Sequence, residues 1–104
     1  MRFLPLEKLI NLRDGYRRRI KIDQLDLLLL QEAGQLHIIH SRCPHREHPL
    51  DQGDVDDGYI YCPLHGFGFS LADGHHDGGL CQALQIYTPV FEGSDVGIVV
   101  DGEP

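Results

Sequence analysis

Two short segments, Cys43-Pro-His45 and Cys62-Pro-Leu-His65, stand sixteen residues apart and constrain this 104-residue chain more than anything else in it. Each supplies one thiol and one imidazole. A zinc finger groups its cysteines in one pair and its histidines in another, at spacings of two to five. Here the pairs are mixed, C-x-H and then C-x-x-H. Pro44 and Pro63 fix φ inside each segment. Gly66 and Gly68 follow the second pair, where they let backbone amides approach a bound group or simply make a turn.

The rest of the chain reads as the scaffold for two such loops. Residues 16–22, 25–31 and 36–40 alternate or run apolar as strands do, with Glu32-Ala-Gly-Gln35 as the turn between the last two. Residues 5–12 predict the one helix, with Leu6, Leu9 and Ile10 on a shared face. From Ser41 the composition changes to Pro, Gly, His and Asp, as in site-bearing loops. Residues 59–61 and 67–71 are short strands into and out of the second segment. Residues 84–91 and 96–100 predict a closing hairpin around Glu92-Gly-Ser-Asp95. Many short strands with tight turns make an all-β protein.

One domain of 104 residues follows from the length, with a modest core that a metal centre would reinforce. Sixteen Asp and Glu stand against nine Lys and Arg. That balance argues against nucleic acid, which wants a basic face, and suits docking to a basic protein surface. The longest apolar run near the start, 27–30, is too short to span a bilayer, and residues 1–10 do not have the pattern of a signal peptide. Three cysteines, two of them in the paired segments, are too few for a disulfide scaffold. A soluble protein of a reducing, cytoplasmic compartment is the expectation.

The flanks of the two segments sharpen the reading: Arg42-Cys-Pro-His-Arg46, Pro49-Leu-Asp-Gln-Gly53, Tyr61-Cys-Pro-Leu-His-Gly-Phe-Gly-Phe69 and Asp73-Gly74. With these the chain resembles the Rieske ferredoxins and the Rieske domains of ring-hydroxylating oxygenases, over residues 15–101. The resemblance implies an antiparallel β-sandwich with a cluster-binding subdomain at about 41–72. It implies one [2Fe–2S] cluster, with Cys43 and Cys62 on an inner iron and His45 and His65 on an outer one. Two neutral imidazoles in place of two thiolates remove two negative charges, so an electron is added more easily than to an all-cysteine cluster. The implied role is one-electron transfer from a flavin-dependent reductase to a terminal oxygenase, as a carrier rather than a catalyst. The small Rieske-like subunit of a nitrite reductase and a structural zinc domain stand as alternatives.

Departures from the family place the chain within it. Respiratory members carry an extra cysteine in each loop, joined as a disulfide; His48 and Leu64 occupy those positions here. The serine and tyrosine hydroxyls that bond to sulfur in those relatives are replaced by Phe67 and Phe69. Fewer hydrogen bonds to sulfur imply a lower potential. Other polar candidates are His75-His76-Asp77, as an iron site or a Gly-rich turn, and Asp51, Asp54, Asp56 and Asp57, as a docking rim or a solvated loop. Cys81 reads as a small buried hydrophobe, His48 as a cluster-edge or loop residue, and Arg17 to Arg19 as a charged strand edge that discourages pairing.

Overall fold

The run Leu27-Leu28-Leu29-Leu30 is fully buried because its strand lies in a middle layer, covered on both faces. Leu27 and Leu29 face one core together with Leu4, Ile38, Val96 and Ile98. Leu28 and Leu30 face another, which contains Ile39, Leu50, Ile60, Phe69, Leu84, Cys43 and Cys62. The period of two along a strand sends alternate leucines to opposite sides. The chain is described here by a computed structural model covering residues 1–45, 47–64, 66–79 and 82–100.

The strands in chain order are β1 (Arg2–Lys8), β2 (Arg17–Ile22), β3 (Leu25–Glu32), β4 (Gln35–His40), β5 (Asp54–Asp56), β6 (Tyr59–Tyr61), β7 (Gly68–Ser70), β8 (Ile86–Tyr87), β9 (Val90–Glu92) and β10 (Asp95–Val100). They form three antiparallel sheets, ordered β1-β10-β9, β2-β3-β4-β8 and β5-β6-β7. The first two pack face to face as a sandwich around the leucine core. The third lies over the other face of the middle sheet and carries the second cysteine segment.

Three expectations change. Residues 5–12 form most of β1 and a single 3-10 turn, Leu9–Asn11, rather than a helix. Pairing with β10 outweighs the weak helical periodicity, and a register shift between Pro5 and Glu7 absorbs the proline, which has no N–H to donate. The predicted strand 84–91 breaks at Thr88-Pro89, so that β8 joins β4 while β9 joins β10. The acidic stretch before Tyr59 contains a strand, β5. Its hairpin to β6 turns on Asp57 and Gly58, both with positive φ, as a type I′ turn requires.

A buried carboxylate ties β1 to β2. Glu7 accepts hydrogen bonds from the Tyr16 hydroxyl, the Asn11 amide, the Lys8 backbone N–H and Arg18. These donors, Tyr16 foremost, hold its pKa at about 2 against an ordinary 4.5. The Tyr16 phenol is pushed up to about 12, by burial first and by Glu7 second. The unfolded chain takes up this proton near pH 4.5 and the folded chain only near pH 2. The tie therefore stabilises fully above about pH 4.5 and is lost as pH falls towards 2. Glu7→Gln is expected to melt earlier than the parent at pH 7, with the gap closing between pH 4.5 and 2. A gap that stays constant across that range contradicts the tie.

Candidate metal centre

Cys43 and Cys62 open two loops of the same backbone design. The Cys43 N–H donates to the His48 carbonyl and the Cys62 N–H to the Phe67 carbonyl, both at 2.8 Å and both five residues on. The N–H groups of Glu47 and Gly66, four residues on, return to the cysteine carbonyls at 2.6 and 2.8 Å. At that fourth position φ is positive in both loops, 57° at Glu47 and 72° at Gly66. A proline follows each cysteine. The loops differ in where the histidine falls, second after Cys43 and third after Cys62.

The first loop is mounted on β4 and closed by a bridge between Arg42 and Pro49; the second is the connection between β6 and β7. Both cysteines are buried, 1% and 2% exposed, in one apolar cluster with Leu50, Ile60 and Phe69. His45 is exposed and its ring stacks on Phe67, with centroids 4.1 Å apart. His65, Arg46, Leu80, Cys81 and residues 101–104 lie outside the described residues. The donor chemistry suits a [2Fe–2S] group with an iron on the buried, thiolate side and an iron on the exposed, imidazole side. Thiolate charge in an apolar pocket is costly unless a metal takes it up, whereas an imidazole ligand can sit at the surface.

The loops meet at Gly53. Its missing side chain leaves room for the Tyr61 carbonyl: a Cβ there would lie 2.4 Å from that oxygen and 3.1 Å from the Leu50 carbonyl. Gly66 supplies the left-handed corner and has open space beside it. The space beside Gly68 is taken by the Tyr61 ring.

A polar layer behind the first loop has no signal in the sequence. Asp26 on β3 accepts two bonds from Arg19, at 2.9 and 2.8 Å, and one from the Ser41 hydroxyl at 2.6 Å. Arg42 lies 3.5 Å from the same carboxylate and donates to the Glu47 carbonyl at 2.8 Å. The Arg19 bonds first, then Ser41, hold Asp26 far below the usual carboxylate range. Arg17 reaches the carbonyls of Asp51 and Gly53. The arginines of β2 do line a sheet edge, and each also makes a specific tie.

His75, His76 and Asp77 diverge. His75 is exposed, 2.6 Å from Asp73 and 3.1 Å from the Tyr59 hydroxyl. His76 is buried and stacks on Phe67 at 4.8 Å, beside Phe69 at 5.5 Å. Among the described residues no three His, Cys, Asp or Glu side chains are placed to share one metal ion. Leu64 is exposed and His48 half-buried. Asp54 and Asp56 stand on strand β5 opposite Tyr61 and Tyr59, whereas Asp51 and Asp57 lie in turns. Burial raises the Tyr61 phenol, with Asp77, Asp56 and Asp57 adding to it. All nine Lys and Arg precede residue 47, so this face has acids with no basic neighbour in its own sheet.

Comparison with known proteins agrees with this fold. The profile of the Rieske [2Fe-2S] domain matches residues 3–88. The chain belongs to the Rieske [2Fe-2S] domain family, and its cofactor is one [2Fe–2S] cluster. It is similar to the ferredoxin component of the alkene monooxygenase system of Xanthobacter autotrophicus, with 27% identity over 88% of this chain and 75% of that one. It also resembles the 4beta-methylsterol monooxygenase of Methylococcus capsulatus, with 37% identity over 60% of this chain. The chain spans 18% of that monooxygenase's length. Among solved structures, the Sphingomonas yanoikuyae B1 ferredoxin superposes with a TM-score of 0.83 at 24% identity, covering 96% of this chain and all of that one. The ferredoxin of carbazole 1,9a-dioxygenase from Nocardioides aromaticivorans does so at 0.81 and 22%, covering 95% and 98%. No helix among the described residues is long and apolar enough to cross a membrane.

Proposed function

We propose that this chain is a one-electron carrier whose [2Fe–2S] cluster is held by Cys43 and Cys62 on the inner iron and by His45 and His65 on the outer iron. It takes electrons from a flavin-dependent reductase and delivers them to a terminal oxygenase, in a reducing, cytoplasmic compartment. The 104 residues act as one domain, with 41–72 as its cluster-holding part. The observation that carries this reading is the pair of matched loops, each opening on a buried cysteine, with His45 exposed beside them. The cluster supplies reversible one-electron chemistry when bound. The protein keeps the thiolates out of water, aims an imidazole outward as a short route for the electron, and presents carboxylates to the partner. Iron and acid-labile sulfide at two each per chain, with a rhombic electron paramagnetic resonance signal on reduction, are expected. One zinc per chain without sulfide overturns the reading.

The potential should sit below that of disulfide-bridged, hydroxyl-rich relatives. Phe69 is fully buried in the same cluster of residues as both cysteines. Phe69→Tyr alone is the clean variant, because Phe67 also supports the His45 ring. A hydroxyl that bonds to sulfur stabilises the reduced state. Film voltammetry is expected to show a raised potential, and an unchanged or lowered one removes the argument.

Asp54, Asp56 and Asp57 would steer a basic partner towards the cluster. Screening shortens such steering to about 10 Å at 0.1 M salt. Reduction by the cognate reductase is expected to slow as salt rises, and the triple change to Asn to flatten that slope. Identical salt dependence in parent and variant assigns these carboxylates to loop solvation.

A further inference from the structure

The two cysteine loops share a pair of backbone hydrogen bonds and a left-handed corner, but not the residue at that corner. Gly66 adopts its φ of 72° freely. Glu47, at 57°, carries a Cβ that crowds the following carbonyl in that conformation. An L residue stays there only when its surroundings hold it. Both peptide groups flanking Glu47 are held. Its N–H bonds to the Cys43 carbonyl, and its own carbonyl accepts from Arg42 Nη1 at 2.8 Å.

Arg42 is itself aimed. Its Nε lies 3.5 Å from the carboxylate of Asp26, which Arg19 and the Ser41 hydroxyl fix in turn. The Ser41 N–H bonds to the Asp26 carbonyl at 2.9 Å, so side chain and backbone register together. The network runs from β3, through the guanidinium, across the mouth of the loop to its strained corner. It ends on the Cys43 carbonyl, through the Glu47 N–H.

We propose that Arg42, oriented by Asp26, is the positioning residue of the first loop, holding Glu47 in its left-handed corner so that Cys43 and His45 present to the cluster. This rests on the reading of Cys43 and His45 as ligands. Loop two needs no such clamp, because Gly66 adopts the corner without one.

The test uses the holoprotein and three variants: Arg42→Gln, Glu47→Gly, and the two combined. Arg42→Gln is expected to lose its cluster to a chelator about tenfold faster, the effect of losing one charge-assisted hydrogen bond. Its resonance signal should broaden as the loop samples other conformations. Glu47→Gly should match the parent, and the double variant should regain the parent rate, since glycine keeps the corner unaided. A purely structural role for Arg42 predicts a lowered melting temperature that Glu47→Gly does not repair. Parent-like chelation in Arg42→Gln, or no rescue in the double variant, overturns the proposal. Amide exchange at Cys43 and Glu47 in the protein as purified gives a separate readout: protection there should fall in Arg42→Gln. A parent without sulfide refutes the ligand assignment, while the exchange arm still decides whether Arg42 holds the loop.

Discussion

Serine in place of Cys43 or Cys62 is expected to give a colourless protein with no reduced-state resonance signal and a markedly lower melting temperature. Two effects act together. Serine is a poor ligand at neutral pH, so on the proposed ligand set the inner iron would lose half of its protein donors. Its hydroxyl then sits in an apolar pocket, since the two positions are 1% and 2% exposed, at a cost of about 1–3 kcal/mol. Cluster binding is linked to folding, so the lost cofactor removes stability as well as function. His45→Ala should be milder for the fold, because His45 is exposed. A Cys62→Ser protein that retains iron and sulfide at the parent ratio would dismiss the ligand set.

Gly53→Ala is expected to cost about 2–3 kcal/mol and to loosen the cluster, although position 53 carries no ligand. The added carbon would lie 2.4 Å from the Tyr61 carbonyl, and no carbon sits that close to an oxygen without movement. Backbone lies on both sides, so no flexible side chain can yield. Tyr61 immediately precedes Cys62, while Gly53 is bonded to the Leu50 carbonyl at the foot of the first loop. Pushing the two apart separates the two cysteine loops, which on the proposed ligand set would loosen the cluster. The melting temperature should fall by about 10 °C or more for a chain of this size, with cluster content falling alongside. Unchanged stability would mean that the contact relaxes freely.

The strands and the cysteine loops were legible because their signals are local. The periodicity of β2 to β4, the Gly-bearing turns and the paired Cys and His segments each lie within a few residues. Strand β5 was missed despite Asp57-Gly58, a strong type I′ signal, because its aspartates read as solvated loop. The helix expected at 5–12 failed because its true partner, β10, is some ninety residues away, and no local pattern reports such pairing. The break at Pro89 is visible as a residue, but its transfer of the chain from one sheet to another is not. Arg17 and Arg19 read only as a charged strand edge, and their ties to the first loop and to Asp26 were not visible, because the partners lie in other segments.

The pairing of β1 with β10 sets Arg2 opposite Val100, whereas β2-β3-β4 and β5-β6-β7 are meanders of neighbours. Nearby partners find each other early and distant ones late. Both cysteine loops and the hairpins that carry them precede β10 in the chain. The molecule is thus assembled on two clocks. Its local meanders are expected to form ahead of the outer sheet, whose closing pair has to span nearly the whole chain.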